Sequence, residues 1–169
     1  MQQTGRETDC SGQFLPSLRI LSYHSISNLA GTKLENYGVP PDKFEHQIRI
    51  LLKHGYTFLD PSDLIDTLTG RKQVYSDTVV LTFDDGYSNL LSCALPTLQR
   101  YKIKALVFPI SRFIGGDNVW DNQSGAPKLQ LLNASELLRV QSEGISIGLH
   151  SRTHPRLTNL SDTELIEEI

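Results

Sequence analysis

The fold is decided by the stretch VVLTFDDG, which occupies residues Val79–Gly86. Its first part, Val79–Phe83, is apolar or β-branched without alternation, a pattern typical of a strand that is covered on both faces. Asp84 and Asp85 follow at the strand end, where Gly86 can relax the backbone so that both side chains reach one site. The stretch therefore predicts a buried strand of a parallel sheet that carries two carboxylates at its carboxyl end.

A second polar cluster, HSRTH at His150–His154, directly follows the apolar run ISIGL at Ile145–Leu149. Histidines four residues apart on a helical turn lie on one face, with Cβ atoms about 5 to 6 Å apart, so both can bind one cation. Parallel strands bring their carboxyl ends to one face of an α/β fold, where either Asp84 or Asp85 can supply a third ligand. Two histidines, one carboxylate and open positions are typical of a site for a Zn²⁺ or Fe²⁺-type ion.

Each cluster by itself has an ordinary structural explanation. An Asp-Asp-Gly sequence is most often a turn, and a single pair of histidines at this spacing is most often part of a helix surface. The metal-site hypothesis depends on the combination, because both clusters follow buried-type strands and their ligand types are complementary.

Strands and helices alternate along the rest of the chain. Strands are predicted over Leu18–Tyr23, Tyr56–Leu59, Val79–Phe83, Ala105–Ile110 and Ile145–Leu149. Helices are predicted over Asp42–His54, Asp60–Gly70, Leu90–Leu98 and Asn133–Gly144, and a further helix is predicted to begin at Ser161. The first of these helices has Glu45 at the capping-box position and an apolar face formed by Phe44, Ile48, Leu51 and Leu52. The third is expected to break at Pro96. This alternation predicts parallel pairing and an α/β fold, either a barrel or an open doubly wound sheet.

The end of the sequence points to a longer domain. Ser161 and Glu164 form a capping box, and Leu165 and Ile169 begin an apolar stripe, yet the chain stops after about two helical turns. The predicted strands are also too few for a parallel barrel, which needs about eight. We expect residues 1–17 to form a polar tail and residues 18–169 to form a domain whose C-terminal part is missing.

Composition excludes several classes of partner. The formal net charge is −3 and the cationic residues are scattered, so the sequence predicts neither nucleic-acid binding nor binding to an anionic membrane. We find no run long enough to span a membrane and no export signal in the first residues, which favours a cytoplasmic location by default. The cysteines, Cys10 and Cys93, do not form a disulfide framework, and no pattern indicates an oligomeric state.

The two polar clusters resemble the first two signature motifs of the polysaccharide deacetylase family, also called the carbohydrate esterase or NodB-homology family. The matching residues are TFDDGY at Thr82–Tyr87 and HSRTHP at His150–Pro155, in the family's order and separation. LSYHSI at Leu21–Ile26 resembles the opening strand of the branch that acts on bacterial surface glycans such as poly-N-acetylglucosamine. The likeness extends from Leu18 to Ile169.

The resemblance implies a distorted (β/α) barrel and metal-dependent removal of acetyl groups from an N-acetylated glycan. It implies that Asp84 is the general base and that Asp85, His150 and His154 hold a divalent metal, with Zn²⁺ as the expected ion. The family's later motifs, which contain an arginine, an Asp-Trp pair and a histidine general acid, are expected beyond the last residue. Leu149 stands where the family often has serine, a change whose effect we expect to be mild.

Two further residues, His24 and Trp120, have two interpretations each, and a third, Tyr87, has a supporting role. His24 follows the first strand. It either lines the site, with a role in substrate binding, or has a purely structural role with its hydrogen bonds satisfied. Trp120 lies in a long loop after Pro109, and it either stacks on a sugar ring of the substrate or packs the loop against the barrel. Tyr87 is expected to pack behind the metal-binding turn.

Two other functions stay open beside carbohydrate N-deacetylation. Some members of the same superfamily hydrolyse small cyclic amides and lack parts of the metal triad, but Asp85, His150 and His154 are all present here. A catalytically incomplete domain that binds a glycan or a metal without turnover is the alternative from a different class.

Overall fold

A parallel sheet organises the part of the chain that the structure, a computed structural model, describes: residues 18–73 and 77–169. Its strands are β1 (Arg19–Tyr23), β2 (Thr57–Phe58), β3 (Thr78–Asp85), β4 (Ala105–Pro109) and β5 (Ile145–Ile147). All pairings are parallel, β1, β3, β4 and β5 lie in that order, and β2 also pairs with β3. The predicted α/β class with parallel pairing is confirmed. The expected tail at residues 1–17 lies outside the described residues.

Strand β3 is the centre of this sheet. Every residue of Thr78–Phe83 is buried, as the non-alternating sequence predicts. The register aligns Tyr23 of β1 with Phe83, and Pro109 of β4 with Asp85. Side chains that follow the carboxyl ends of β1, β3 and β4 therefore collect at one edge of the sheet.

A helix follows each of the five strands along the chain. They are α1 (Pro41–Lys53), α2 (Leu64–Leu68), α3 (Leu95–Tyr101), α4 (Ala134–Ser142) and α5 (Asp162–Glu168), with short 3-10 turns at Glu35–Tyr37, Pro61–Asp63, Ser111–Phe113, Val119–Ser124 and Leu157–Asn159. A π-helical turn at Leu90–Ala94 precedes α3, and Pro96 stands at its first turn, where a break was predicted. No helix within the described ranges has the length and apolarity needed to cross a membrane.

The core forms where α1 packs against the sheet. The Phe44 ring of α1 lies 5.1 Å from the ring of Tyr23 and 5.9 Å from the ring of Phe83, both edge to face. Phe44 and Ile48 are fully buried, and burying such a side chain contributes about 1.5 to 3 kcal/mol. This packing holds β1 against β3 next to the edge of the sheet where the side chains after the strand ends collect.

Two details of α1 differ from the sequence prediction. The helix begins at Pro41, a residue earlier than expected, and no side chain caps it. Proline is favourable at the first helical position. Because Glu45 does not cap the helix, its carboxylate accepts hydrogen bonds from Arg100 at 2.6 Å and from the Tyr101 hydroxyl at 3.1 Å. Leu52 is 38% exposed and does not belong to the core face.

The other predicted helix starts agree with the structure. Asn133 and Glu136 form a reciprocal capping box at α4. Ser161 and Glu164 do the same at α5. Asp60 caps the turn that leads into α2 by accepting a hydrogen bond from the Ser62 amide.

Candidate metal centre

The site begins with a sharp turn at the end of β3. Asp85 has a φ of 65° and Gly86 a φ of 79°, so consecutive residues occupy the left-handed region. The neighbouring strand adds a second requirement, because a Cβ on Gly86 would lie 2.9 Å from the Cβ of Pro109. Glycine is thus needed here for its backbone conformation and for its lack of a side chain. The turn directs Asp84 and Asp85 to the same edge of the sheet, although neighbours on a regular strand point to opposite faces.

Asp85 lies between the two predicted histidine ligands. Its Oδ1 atom is 3.6 Å from Nε2 of His150 and 3.5 Å from Nε2 of His154. These separations exceed the 2.7 to 2.9 Å or so of a charge-assisted hydrogen bond. They agree with the spacing of roughly 3.4 Å between two ligands that each lie about 2.1 Å from one tetrahedral Zn²⁺.

An unsatisfied oxygen atom supports the fit of a cation to this cluster. Asp85 is only 5% exposed, and its Oδ1 atom is buried without a hydrogen-bond partner in the described part of the chain. An unsatisfied buried acceptor costs about 1 to 3 kcal/mol, and more when it is charged. The ligand atoms of Asp85, His150 and His154 all lie within 4.8 Å of one another, so one divalent cation could bind all of them.

The electrostatics of the cluster agree with metal ligation. Burial raises the pKa of Asp85, and the neighbouring His154 opposes this shift. Burial lowers the pKa of His154, and Asp85 is the main group that opposes it. A lowered pKa favours the neutral imidazole, which is the form that binds a metal. A cation beside Asp85 would in turn compensate the charge of the buried carboxylate.

The histidines lie in a loop, and the predicted helical turn at this position is wrong. Ser151 has a φ of 57° and His154 a φ of 62°, values that no right-handed helix contains. Pro155 contributes to the difference, because the residue before a proline is disfavoured in the right-handed helical region. We call residues His150–His154 the histidine loop.

Hydrogen bonds to neighbouring segments bring the two imidazoles together in this loop. The His150 amide donates to the carbonyl of Pro109 at 3.2 Å, and the Ser111 amide donates to the carbonyl of Ser151 at 3.3 Å. Within the loop, the His154 amide donates to Oγ of Ser151 at 3.1 Å. The ring centroids of His150 and His154 are 5.0 Å apart as a result, without a helix between them.

Asp84 is the second carboxylate of the site and lies outside the ligand cluster. Its side chain is 22% exposed. Its Oδ2 atom accepts a 2.6 Å hydrogen bond from the Ser22 hydroxyl and lies 4.0 Å from Nε2 of His24. The His24 ring in turn packs edge to face on Tyr37, with centroids 5.0 Å apart.

Trp120 borders the cluster on the side of His154. Its ring centroid lies 5.2 Å from that of His154 and 5.6 Å from that of Phe113. Trp120 is only partly buried, so its packing against the candidate ligand His154 leaves some of its surface accessible. Tyr87 is 3% exposed, and burial together with the nearby Asp85 carboxylate raises its pKa.

The candidate base, the candidate ligands and the two candidate substrate-binding residues thus lie around one edge of the sheet: Asp84, Asp85, His150, His154, His24 and Trp120. Sequence reasoning missed Ser22, which bonds to Asp84, and Glu168, which bonds to the histidine loop. Ser22 offered a weak signal, because it lies on the predicted first strand near His24. Glu168 gave none, since an acidic residue on a short terminal helix is ordinary.

Comparisons with known proteins show the family to which the chain belongs. The polysaccharide deacetylase family matches residues 71–169. The protein YxkH of Bacillus subtilis is 32% identical over 152 residues, which make up 90% of this chain and 48% of that protein. The poly-β-1,6-N-acetyl-D-glucosamine N-deacetylase of Staphylococcus epidermidis is 30% identical over 130 residues, 76% of this chain and 42% of that protein. The chain thus spans less than half the length of these two relatives.

A solved structure shares the fold. The deacetylase PplD of Streptococcus pyogenes, determined in complex with acetate, superposes with a TM-score of 0.69 at 26% identity, over 91% of this chain and 65% of that one. This likeness confirms the predicted fold type, the deacetylase barrel. Sequence and fold agree on one assignment, and the chain belongs to the polysaccharide deacetylase family.

Proposed function

We propose that this chain contains the metal centre and the general base of a carbohydrate N-deacetylase, which hydrolyses acetamide groups on an N-acetylated glycan. The observation that supports this most directly is the unsatisfied Oδ1 atom of Asp85 between two imidazole nitrogens, with Asp84 beside it. A hydrolase of this kind needs a cation and a separate base, and the two carboxylates of one turn can divide these roles.

Asp85, His150 and His154 are proposed to hold the divalent cation, with Zn²⁺ as the expected ion because nitrogen and carboxylate ligands suit it. When bound, such a cation activates water and stabilises negative charge on the acetyl carbonyl oxygen. Asp84 accepts the proton of the attacking water. Its Oδ2 atom is held by the 2.6 Å hydrogen bond from Ser22, which sets the direction of the carboxylate.

His24 and Trp120 are proposed to contact the substrate. They contact different members of the carboxylate and histidine cluster, His24 lying near Asp84 and Trp120 against His154. The partly exposed indole can stack on the apolar face of a sugar ring while it packs on the ligand behind it. These positions support a substrate whose acetamide group reaches the cluster between the two side chains.

An N-acetylated glycan is the proposed substrate class. The Staphylococcus epidermidis relative is named a poly-β-1,6-N-acetyl-D-glucosamine N-deacetylase, and the family match covers both polar clusters of this chain. The assignment of substrate rests on these relatives, whereas the assignment of roles within the site rests on the geometry.

The test compares Asp84→Asn with Asp85→Asn in the Zn²⁺-loaded complete protein, in which the expected later motifs can supply the general acid. Asp84→Asn is expected to lower acetate release from N-acetylglucosamine oligomers about 100- to 10,000-fold while the metal content stays at one ion per chain. Asp85→Asn is expected to lower the metal content itself. Acetate release and zinc content are measured on the same samples. Equal loss of zinc in both variants, or full activity in Asp84→Asn, would contradict the proposed roles.

A further inference from the structure

The carboxylate of Glu168 accepts hydrogen bonds from the middle of the histidine loop. Its Oε2 atom accepts from the Thr153 amide at 2.7 Å, and it shares the Arg152 amide, at 3.1 Å, with the backbone carbonyl of Glu168, which lies 3.0 Å from the same amide. Its Oε1 atom accepts from the Thr153 hydroxyl at 2.6 Å. The residues that donate these bonds lie between His150 and His154 in the chain. A single side chain of α5 thus holds the segment that connects two candidate metal ligands.

This segment has little structure of its own. It belongs to no helix or strand, and Ser151 and His154 both have positive φ values. Non-glycine residues are strained in this region and persist there only when the surroundings enforce the conformation. The conformation of the loop therefore depends on contacts from outside it.

Two segments provide these contacts from different directions. The turn after β4 holds the first half of the loop, because the Ser111 amide donates to the Ser151 carbonyl and the Arg112 amide donates to the Arg152 carbonyl at 3.1 Å. Glu168 holds the later part, through Arg152 and Thr153. Hydrogen bonds to an ionised carboxylate are about twice as strong as bonds between neutral groups. Of these two contacts, the one made by Glu168 is the charged one, and it reaches the residue directly before His154.

We propose that Glu168 is a positioning residue of the metal centre, which sets the placement of the His154 imidazole relative to His150 and Asp85 through Thr153. The inference rests on the proposed metal site. Groups behind the direct ligands typically change metal affinity about 10- to 100-fold when they are removed. Because Glu168 bonds to the backbone and to Thr153 rather than to an imidazole ring, we expect an effect of about tenfold.

The experiment titrates the metal-free protein with Zn²⁺ and records the visible spectrum of the Co²⁺ form. Glu168→Ala is expected to weaken Zn²⁺ binding about tenfold and to change the Co²⁺ bands, because the ligands shift relative to one another. Glu168→Gln is expected to recover most of the Zn²⁺ affinity and of the Co²⁺ spectrum, since its amide oxygen can accept the two backbone bonds and its amide NH₂ can donate to the Thr153 hydroxyl, but without the added strength of an ionised acceptor. Glu167→Ala, on the exposed neighbouring residue, is the matched control and is expected to match the wild type.

The outcomes separate positioning from simple anchoring of α5. If Glu168 only docks the helix, Glu168→Ala lowers thermal stability but leaves Zn²⁺ affinity and the Co²⁺ spectrum unchanged, and the proposal is overturned. Failure of Glu168→Gln to recover most of the affinity would also overturn it. Should Glu168→Ala not fold, Glu168→Asp, which withdraws the carboxylate by one methylene, must weaken Zn²⁺ binding relative to Glu167→Asp, and equal affinities refute the role.

The same titration distinguishes this inference from the proposed function. If the wild-type protein binds no Zn²⁺, Co²⁺ or other divalent ion, both the proposed metal centre and the proposed role of Glu168 are refuted. If the wild-type protein binds the ion and Glu168→Ala binds it with the same affinity, only the proposed role of Glu168 is refuted.

Discussion

The Ser22 hydroxyl donates a 2.6 Å hydrogen bond to Oδ2 of Asp84 across two neighbouring strands. The register pairs Ser22 with Thr82, which lies two residues before Asp84 and on the same face of β3. Strand β1 therefore reaches the proposed base through a side chain at its own carboxyl end. The orientation of the carboxylate depends on the pairing of β1 with β3.

We expect Ser22→Ala to lower the rate of acetate release without loss of metal. A hydrogen bond of this kind contributes about 0.5 to 1.5 kcal/mol, and Asp84 is partly exposed, so water can replace part of it. The expected decrease in kcat is therefore about 2- to 10-fold at unchanged zinc content. Ser22→Thr keeps the hydroxyl and is the matched control. A loss of zinc in Ser22→Ala would mean that the hydroxyl supports the ligands rather than the base.

We expect one divalent ion to bind per chain, and binding to be lost when His150→Ala and His154→Ala are combined. His46→Ala is the control, because His46 is an exposed histidine on α1. Affinity should fall as the pH decreases through the reference histidine pKa of about 6.5 and below it, since protons compete for imidazole nitrogens. Burial lowers the pKa of His154, so this ligand stays neutral to a lower pH than a free histidine does. Calorimetric titration measures both effects, and unchanged stoichiometry in the double variant would refute the site.

We expect Trp120→Ala and His24→Ala to raise KM for an N-acetylglucosamine oligomer more than they lower kcat. Their rings border the cluster without belonging to the proposed ligand set. Trp120→Phe keeps an aromatic surface against His154 and should keep more of the affinity for substrate. Initial rates over a range of oligomer concentrations give the two constants. A selective decrease in kcat, with KM unchanged, would show that these side chains do not bind the substrate.

We expect Gly86→Ala to destabilise the protein and to weaken metal binding. The new Cβ would meet Pro109 at 2.9 Å and would occupy a strained φ of 79°. Gly70→Ala is the matched control, because Gly70 has a similar φ of 73° but nothing within 4 Å of its Cβ position. The control should lose about 1 kcal/mol from backbone strain alone, and Gly86→Ala should lose clearly more. Urea denaturation measures both, and equal losses would show that Pro109 adjusts freely.

Hydrophobic patterning predicted the elements that place the site. The non-alternating run of β3 is buried as expected, and both carboxylates stand at its end because strand and turn are adjacent in sequence. The capping boxes at Asn133 and Ser161 were also predictable, since each needs residues only three positions apart.

Contacts between distant segments could not be predicted in the same way. The spacing of His150 and His154 suggested a helical turn, but hydrogen bonds to Pro109 and Ser111 hold the loop in another form. The bond from Ser22 to Asp84 joins residues 62 positions apart, and its geometry follows from strand register. For Glu168, no local pattern indicates which donors its carboxylate will meet.

The central place of β3 also has a consequence for how the protein folds. We expect Asp85 to contact His150 and His154 only after β3 has paired with β4, because the His150 amide is hydrogen-bonded to the carbonyl of Pro109 at the end of β4. Such contacts between segments far apart in sequence form slowly, since loop-closure entropy must be overcome before they become favourable. Metal capture is therefore expected late in folding. A bound ion would act on the folded ensemble as a whole, raising the free energy of unfolding with the logarithm of its concentration.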